Sequence, residues 1–247
     1  SATAATTIAT GSITSAGNVV AVESVSGWSG SCVLALPLVG SADDVSNQIN
    51  SGSTTKTITV TNAVGVSTQS NFYGGSYYFD GTGDYISSPY NADFNFGAGD
   101  FTVEMWVKTT TSGGYGTGVG RWTSVSSTGI FDLRPASADY GNRFVFMTRE
   151  DGGSNTFKPV DSGRNVNDGN WHHIAASREG SILRLFVDGL LVKSDGSYGH
   201  TINTSTSTGL RVGYGDGSNY LDGEVQDVRI YKGVAKYTSD FIPASTN

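Results

Sequence analysis

Apolar and polar residues alternate with a period of two along much of this chain, the mark of strands that bury one face. The alternation is cleanest over residues 101–108, where Phe101, Val103, Met105 and Val107 share one face and Glu104, Trp106 and Lys108 the other. Leu183, Leu185 and Val187 alternate in the same way against Arg184, Phe186 and Asp188. Residues 172–178 read as the partner of that second strand, joined to it through Arg178-Glu179-Gly180-Ser181. Asp188-Gly189 then turns the chain again into Leu190-Leu191-Val192. The result is a three-strand meander with Trp171 at its start. A meander alone leaves an apolar face in water, so the pattern predicts a second packed layer.

Further strands are predicted at 33–39, with Pro37 marking an edge or a strand end, at 57–61, and on both sides of the Gly81–Asp84 turn. Others follow at about 128–134, 143–149, 210–214 and 223–231. Phe94 and Phe96 are placed in a loop over the open end of the layers. Residues 109–120, with five glycines from Gly113 to Gly120, read as a flexible loop ending at Arg121-Trp122, and Asp151-Gly152-Gly153 as a turn. From Lys232 onward the pattern suggests a short helical turn and a tail lying back over the sheet. Residues 1–32 carry one charge, Glu23, and only scattered aliphatics. They read either as an extended N-terminal arm that pairs with a sheet edge or another subunit, or as a partly mobile leader. The packed domain is then 33–247.

Composition narrows the function classes. The 34 glycines are about twice the usual ~7% and fit many strands joined by turns. A net charge of −7 with only 15 Lys plus Arg leaves no basic face for phosphates, which argues against nucleic acid. The lone Cys32 permits no intrachain disulfide and no Cys-based metal site; it reads as a buried, inert thiol. No apolar run approaches the ~20 residues of a membrane span, so no membrane insertion is expected. The first residues lack the basic and apolar regions of a signal peptide, so Ser1 follows either initiator Met removal or precursor cleavage.

Four motifs occur in a telling order: Phe79-Asp80-Gly81-Thr82-Gly83-Asp84-Tyr85-Ile86, the 100–107 strand, Trp171-His172-His173-Ile174 through Val187-Asp188-Gly189, and Gly223 through Tyr231. Together they resemble the laminin G-like, concanavalin A-like jelly-roll family. The ending Tyr231-Lys232-Gly233-Val234-Ala235-Lys236-Tyr237, with Phe241 after it, is similar to versions in virion proteins of tailed phages. The resemblance implies an all-β fold: two antiparallel sheets in a jelly-roll sandwich with loops at the rim, binding glycans, proteins or other surfaces, often with calcium.

Glycoside hydrolysis needs two carboxylates flanking the bond. The strand that carries them in glucanases of this fold offers only Glu104 here, so a non-enzymatic protein is expected. His172 and His173 are adjacent on a strand and face opposite ways, so they cannot hold one ion together. The glycines at 113–120 are followed by neither Gly-Lys-Ser/Thr nor a helix, so they are not a phosphate loop. A calcium site is drawn from Asp80, Gly81, Asp84, Gln226 and Asp227, because terminal strands are often neighbours in the resembled family. The alternative is that the Asp-Gly pairs only shape turns. For stacking on sugar rings the candidates are Tyr115, Trp122, Tyr214 and Tyr220, with Tyr140 and Tyr198 also near loops. Asn203-Thr204-Ser205 forms a glycosylation sequon.

The expected function is a surface-exposed binding module, a phage virion decoration or adhesion protein that recognises glycans or a host surface through its rim loops. It sits on the virion surface or is otherwise extracellular, with residues 1–32 engaging other assembly proteins and homo-oligomerisation left open. The alternative is a passive coat subunit held by that arm.

Overall fold

The computed structural model of the chain describes residues 14–15, 18–19, 31–112, 115–122, 130–151, 156–204, 206–215, 217 and 219–243. Most of the predicted arm lies outside these. Within it, β1 (Thr14–Ser15) and β2 (Asn18–Val19) pair with each other, and Cys32 already belongs to the sandwich.

The sandwich opens with β3 (Cys32–Leu36), which stops just before Pro37 and lies at a sheet edge. A one-turn helix, α1 (Ser46–Ile49), follows. Then come β4 (Thr59–Thr61), β5 (Val64–Val66), β6 (Ser76–Asp80), β7 (Tyr85–Ser88) and β8 (Phe101–Thr109). Two short strands, β9 (Tyr115–Gly116) and β10 (Val119–Gly120), precede β11 (Phe131–Ser137), β12 (Arg143–Arg149) and β13 (Phe157–Asp161). The predicted meander is β14 (Trp171–Glu179), β15 (Ile182–Val187) and β16 (Leu190–Asp195), and β17 (Leu210–Val212) and β18 (Asp222–Lys232) close the chain.

These strands form two antiparallel sheets. The first runs β16-β15-β14-β8-β18-β6-β5, with β3 beside the C-terminal half of β18. The second runs β13-β12-β11-β10-β17-β7-β4, with β9 added to β11. The predicted two-layer β-sandwich is therefore the fold. Phe101, Val103, Met105 and Val107 of β8 and Leu183 and Leu185 of β15 are fully buried between the layers, opposite Phe131, Leu133, Phe144 and Phe146 of the second sheet. Each such side chain contributes about 1.5–3 kcal/mol by leaving water.

The strands expected on both sides of the Gly81–Asp84 turn are β6 and β7; they belong to different sheets, so the segment crosses from one layer to the other. Two expectations are corrected. Part of 109–120 is strand, not loop: β10 bridges β11 and β17, and its neighbours approach so closely that a Cβ on Gly118 would lie 2.7 Å from the Leu133 carbonyl oxygen. Glycine there makes room between strands. After Lys232 the described residues hold no helical turn, but the tail does lie back over the first sheet, with Tyr237 and Phe241 against Ala175 and Phe186.

Cys32 is fully buried, and burial pushes its thiol up to about 12, leaving it un-ionised at neutral pH.

Candidate functional site

The outward face of the second sheet carries the aromatic groups that a flat ligand needs. Along β7 and β17, Ile86, Leu210 and Val212 point into the core, so Tyr85, Ser87 and Arg211 point out. At the end of β17 the chain must turn sharply while pressed against the core. Gly213 does this at φ +82°, where any Cβ would overlap the Phe79 ring. Tyr214 and Tyr220 then bridge the two arms of a small loop, flanked by Leu221 N–H donating to Gly213 O (2.9 Å) and Gly215 N–H to Asn219 O (3.2 Å). Side chains of such a non-hydrogen-bonded pair sit close together.

Their rings stack, with centroids 4.4 Å apart and planes 15° from parallel. Tyr85 lies 5.7 Å from the Tyr214 ring, and the Arg211 guanidinium sits 4.7 Å over it and 5.9 Å over Tyr85. All four side chains are half-exposed. Burial raises the Tyr220 phenol, with Tyr214 and Tyr85 adding to the shift, so it stays a neutral hydroxyl donor at physiological pH. The arrangement is an aromatic platform stiffened by a cation, suited to stacking on a sugar ring.

Two of the predicted stacking residues, Tyr214 and Tyr220, thus come together. Tyr85 and Arg211 were missed, although the same period-two alternation that buries Ile86 and Val212 points both outward. Trp122 is corrected: it is 2% exposed, under the Arg149 guanidinium (5.1 Å) and edge-on to Phe157 (5.7 Å), and offers no free face. Tyr140 packs partly buried beside it. Tyr198 is also buried, its hydroxyl shared with Thr148 (2.7 Å) and Lys158 O (3.0 Å). Tyr115 pairs its backbone with Ser137, and its side chain lies outside the described residues.

The five residues proposed for calcium do not converge. Asp80 lies opposite Asp222 in the β6–β18 ladder, while Gln226 is four residues further along β18, about 13 Å away. Asp84 Oδ2 accepts the Asp80 N–H (3.0 Å), and Asp80 Oδ1 accepts that of Thr82 (2.7 Å), so both carboxylates shape the Gly81 turn. Gln226 is fully buried: its amide donates to Phe72 O and Gly75 O and accepts the Phe72 N–H (3.2 Å). Asp227 pairs with Arg229 at 2.8 Å. The set does not fit one cation, and among the described residues no three His, Cys, Asp or Glu side chains gather as a metal centre needs.

The outer face of the first sheet holds a buried polar network instead of an open cleft. Glu104 accepts from Lys236 Nζ (2.9 Å) and the Tyr237 hydroxyl (2.6 Å) and lies 3.3 Å from His173 Nε2. Burial opposes its charge, but Lys236, His173 and Arg229 outweigh that and hold the carboxyl well below the usual range. The tail covers it, leaving Glu104 3% exposed. His172 points the other way, as predicted, bridging Asp188 (2.8 Å) and Asp168 (3.1 Å).

The sequence profile of the concanavalin A-like lectin/glucanases superfamily matches residues 80–236. No curated protein sequence matches the chain. Among solved structures, domain 4 of AbnA, a GH43 extracellular arabinanase from Geobacillus stearothermophilus in complex with arabinotriose, superposes with a TM-score of 0.62. It is 16% identical over 83% of this chain and 94% of that one. The binding domain of Paraclostridial Mosquitocidal Protein 1 gives 0.65 at 12% identity, over 83% of this chain and 50% of its own. The botulinum neurotoxin serotype D ligand binding domain, in complex with N-acetylneuraminic acid, gives 0.59 at 14%, over 84% and 48%. At these identities the likeness is one of fold, and this chain spans about half of each toxin domain.

Proposed function

The chain belongs to the concanavalin A-like lectin/glucanases superfamily, and from that premise we propose that it is a non-catalytic module that binds glycans on the outward face of its second sheet. The observation that carries this reading is the Tyr214–Tyr220 stack, half-exposed and braced by Arg211 and Tyr85. A pyranose or furanose ring laid on Tyr220 trades water for an aromatic face, while the loop's Asn219 and the tyrosine hydroxyls supply hydrogen bonds to its hydroxyls. The burial of Glu104 under the tail supports binding without hydrolysis, since a glycosidase needs two accessible carboxylates.

The module is displayed on a particle or cell surface, and the phage-like ending at 231–241 supports a virion setting. Residues 1–32 tie it to its assembly, and deletion of those ahead of Cys32 releases the module without abolishing glycan binding. The test of the binding reading is a glycan array probed with the native chain and with Tyr220→Ala. Selective binding by the first that is weakened in the second supports it, and no binding, or release of reducing sugar from a bound polysaccharide, defeats it.

A further inference from the structure

The tyrosine platform has a continuation. From Tyr85 the strand β7 runs toward Pro89, about 13 Å away. Its outward side presents Ser87, flanked in register by Arg211 on β17 and Thr59 on β4. This stretch is polar. Beyond it, where the chain before β4 and the chain after β7 part, lies an open cleft of about 170 Å³ lined by Thr55, Lys56, Thr57, Ser88, Pro89, Tyr90 and Asn91.

The chemistry of the cleft is that of a hydroxyl-bearing, uncharged ligand. Lys56 is its one cation, and it is neutralised by Asp93 at 2.8 Å with its side chain only 1% exposed. Thr55 and Thr57 are exposed, with Tyr90 and Asn91 half-exposed. An aromatic stacking face braced by a guanidinium at one end, the short hydroxyl side chains of Ser87 and Thr59 between, and a cleft with exposed threonines at the other are the needs of a linear chain of sugars. A single terminal residue would use only the platform.

We propose that platform and cleft are two ends of one track that binds an internal stretch of a linear, neutral oligosaccharide longer than a disaccharide. This inference rests on the glycan-binding reading and adds to it the length and charge class of the ligand. The cleft's polar contacts add affinity only once the bound chain reaches them.

The test is calorimetric titration of the full chain with α-1,5-arabino-oligosaccharides and, alongside, β-1,4-gluco-oligosaccharides, each from mono- to hexasaccharide. In the ladder that binds, affinity should rise about tenfold between the disaccharide and the longer rungs, the gain of one or two net hydrogen bonds. In Thr55→Val/Thr57→Val this advantage of long over short rungs should vanish, and Tyr220→Ala should weaken every rung. Affinity that is flat from the disaccharide upward, or a length advantage that survives the double substitution, overturns the track and leaves the platform reading standing. Binding untouched by Tyr220→Ala overturns the platform itself, and two ladders with no binding rung overturn both.

Discussion

Lys236 places its ammonium 2.9 Å from Glu104 Oε1, with both side chains almost wholly buried, at 2% and 4% exposed. This pair fastens an irregular tail to the first sheet, and its geometry makes it costly to halve. Replacing Lys236 by Met leaves Glu104 charged, buried and short of a partner, which costs about 3–5 kcal/mol. Urea denaturation should show a markedly lower midpoint for Lys236→Met, and a smaller loss for Glu104→Gln/Lys236→Met, in which no lone charge remains.

His172 predicts a pH dependence of opposite sign to acid denaturation. The hydrogen bond to Asp188 is the largest influence and raises the imidazole above its ordinary value, aided by the charges of Asp188 and Asp168 and opposed by burial. A group raised in the fold contributes stability that is fully present below its unfolded value of ~6.5 and is lost as pH climbs through the higher folded value. The denaturation midpoint should therefore fall as pH rises above about 6.5, and His172→Gln should remove most of that slope.

Gly213→Ala tests how the platform is built. At φ +82° alanine is strained by about 1–3 kcal/mol, and its methyl also meets the Phe79 ring. The expected result is a destabilised chain whose glycan binding is weakened beyond what unfolding explains, read from affinity at a temperature where the variant remains folded.

Gln226→Glu asks whether β18 harbours a cation ligand or a latch. The amide donates to Phe72 O and Gly75 O. A carboxylate cannot donate, so two buried acceptors lose their partner, at about 1–3 kcal/mol. The thermal midpoint should drop, and added calcium should not restore it.

The layers were legible wherever one face alternates. Phe101, Val103, Met105 and Val107 needed only their spacing, because burial of every second residue is local information. What covers the other face was not legible. Glu104 and Trp106 are nearly as buried as their neighbours, but their cover comes from Tyr237 and from Phe72, segments without periodicity that lie far off in sequence. Glycines misled for a related reason: at Gly118 and Gly120 they signal close approach of strands, and composition alone cannot tell that from a loop. Tyr214 and Tyr220 were readable as loop aromatics, while their stacking, and the part of Tyr85 and Arg211, depended on β7–β17 pairing across more than 120 residues. The cation set failed because it assumed that β18 presents Gln226 and Asp227 beside Asp80, whereas the register puts Asp222 there.

The most direct measurement of the central claim is the affinity of the native chain and of Tyr220→Ala for one polysaccharide taken from the array. Loss of a single stacked ring, about 0.5–1.5 kcal/mol, predicts roughly a two- to twelvefold weaker dissociation constant, read at a temperature where both proteins are folded. Equal affinity in the two proteins would contradict the account.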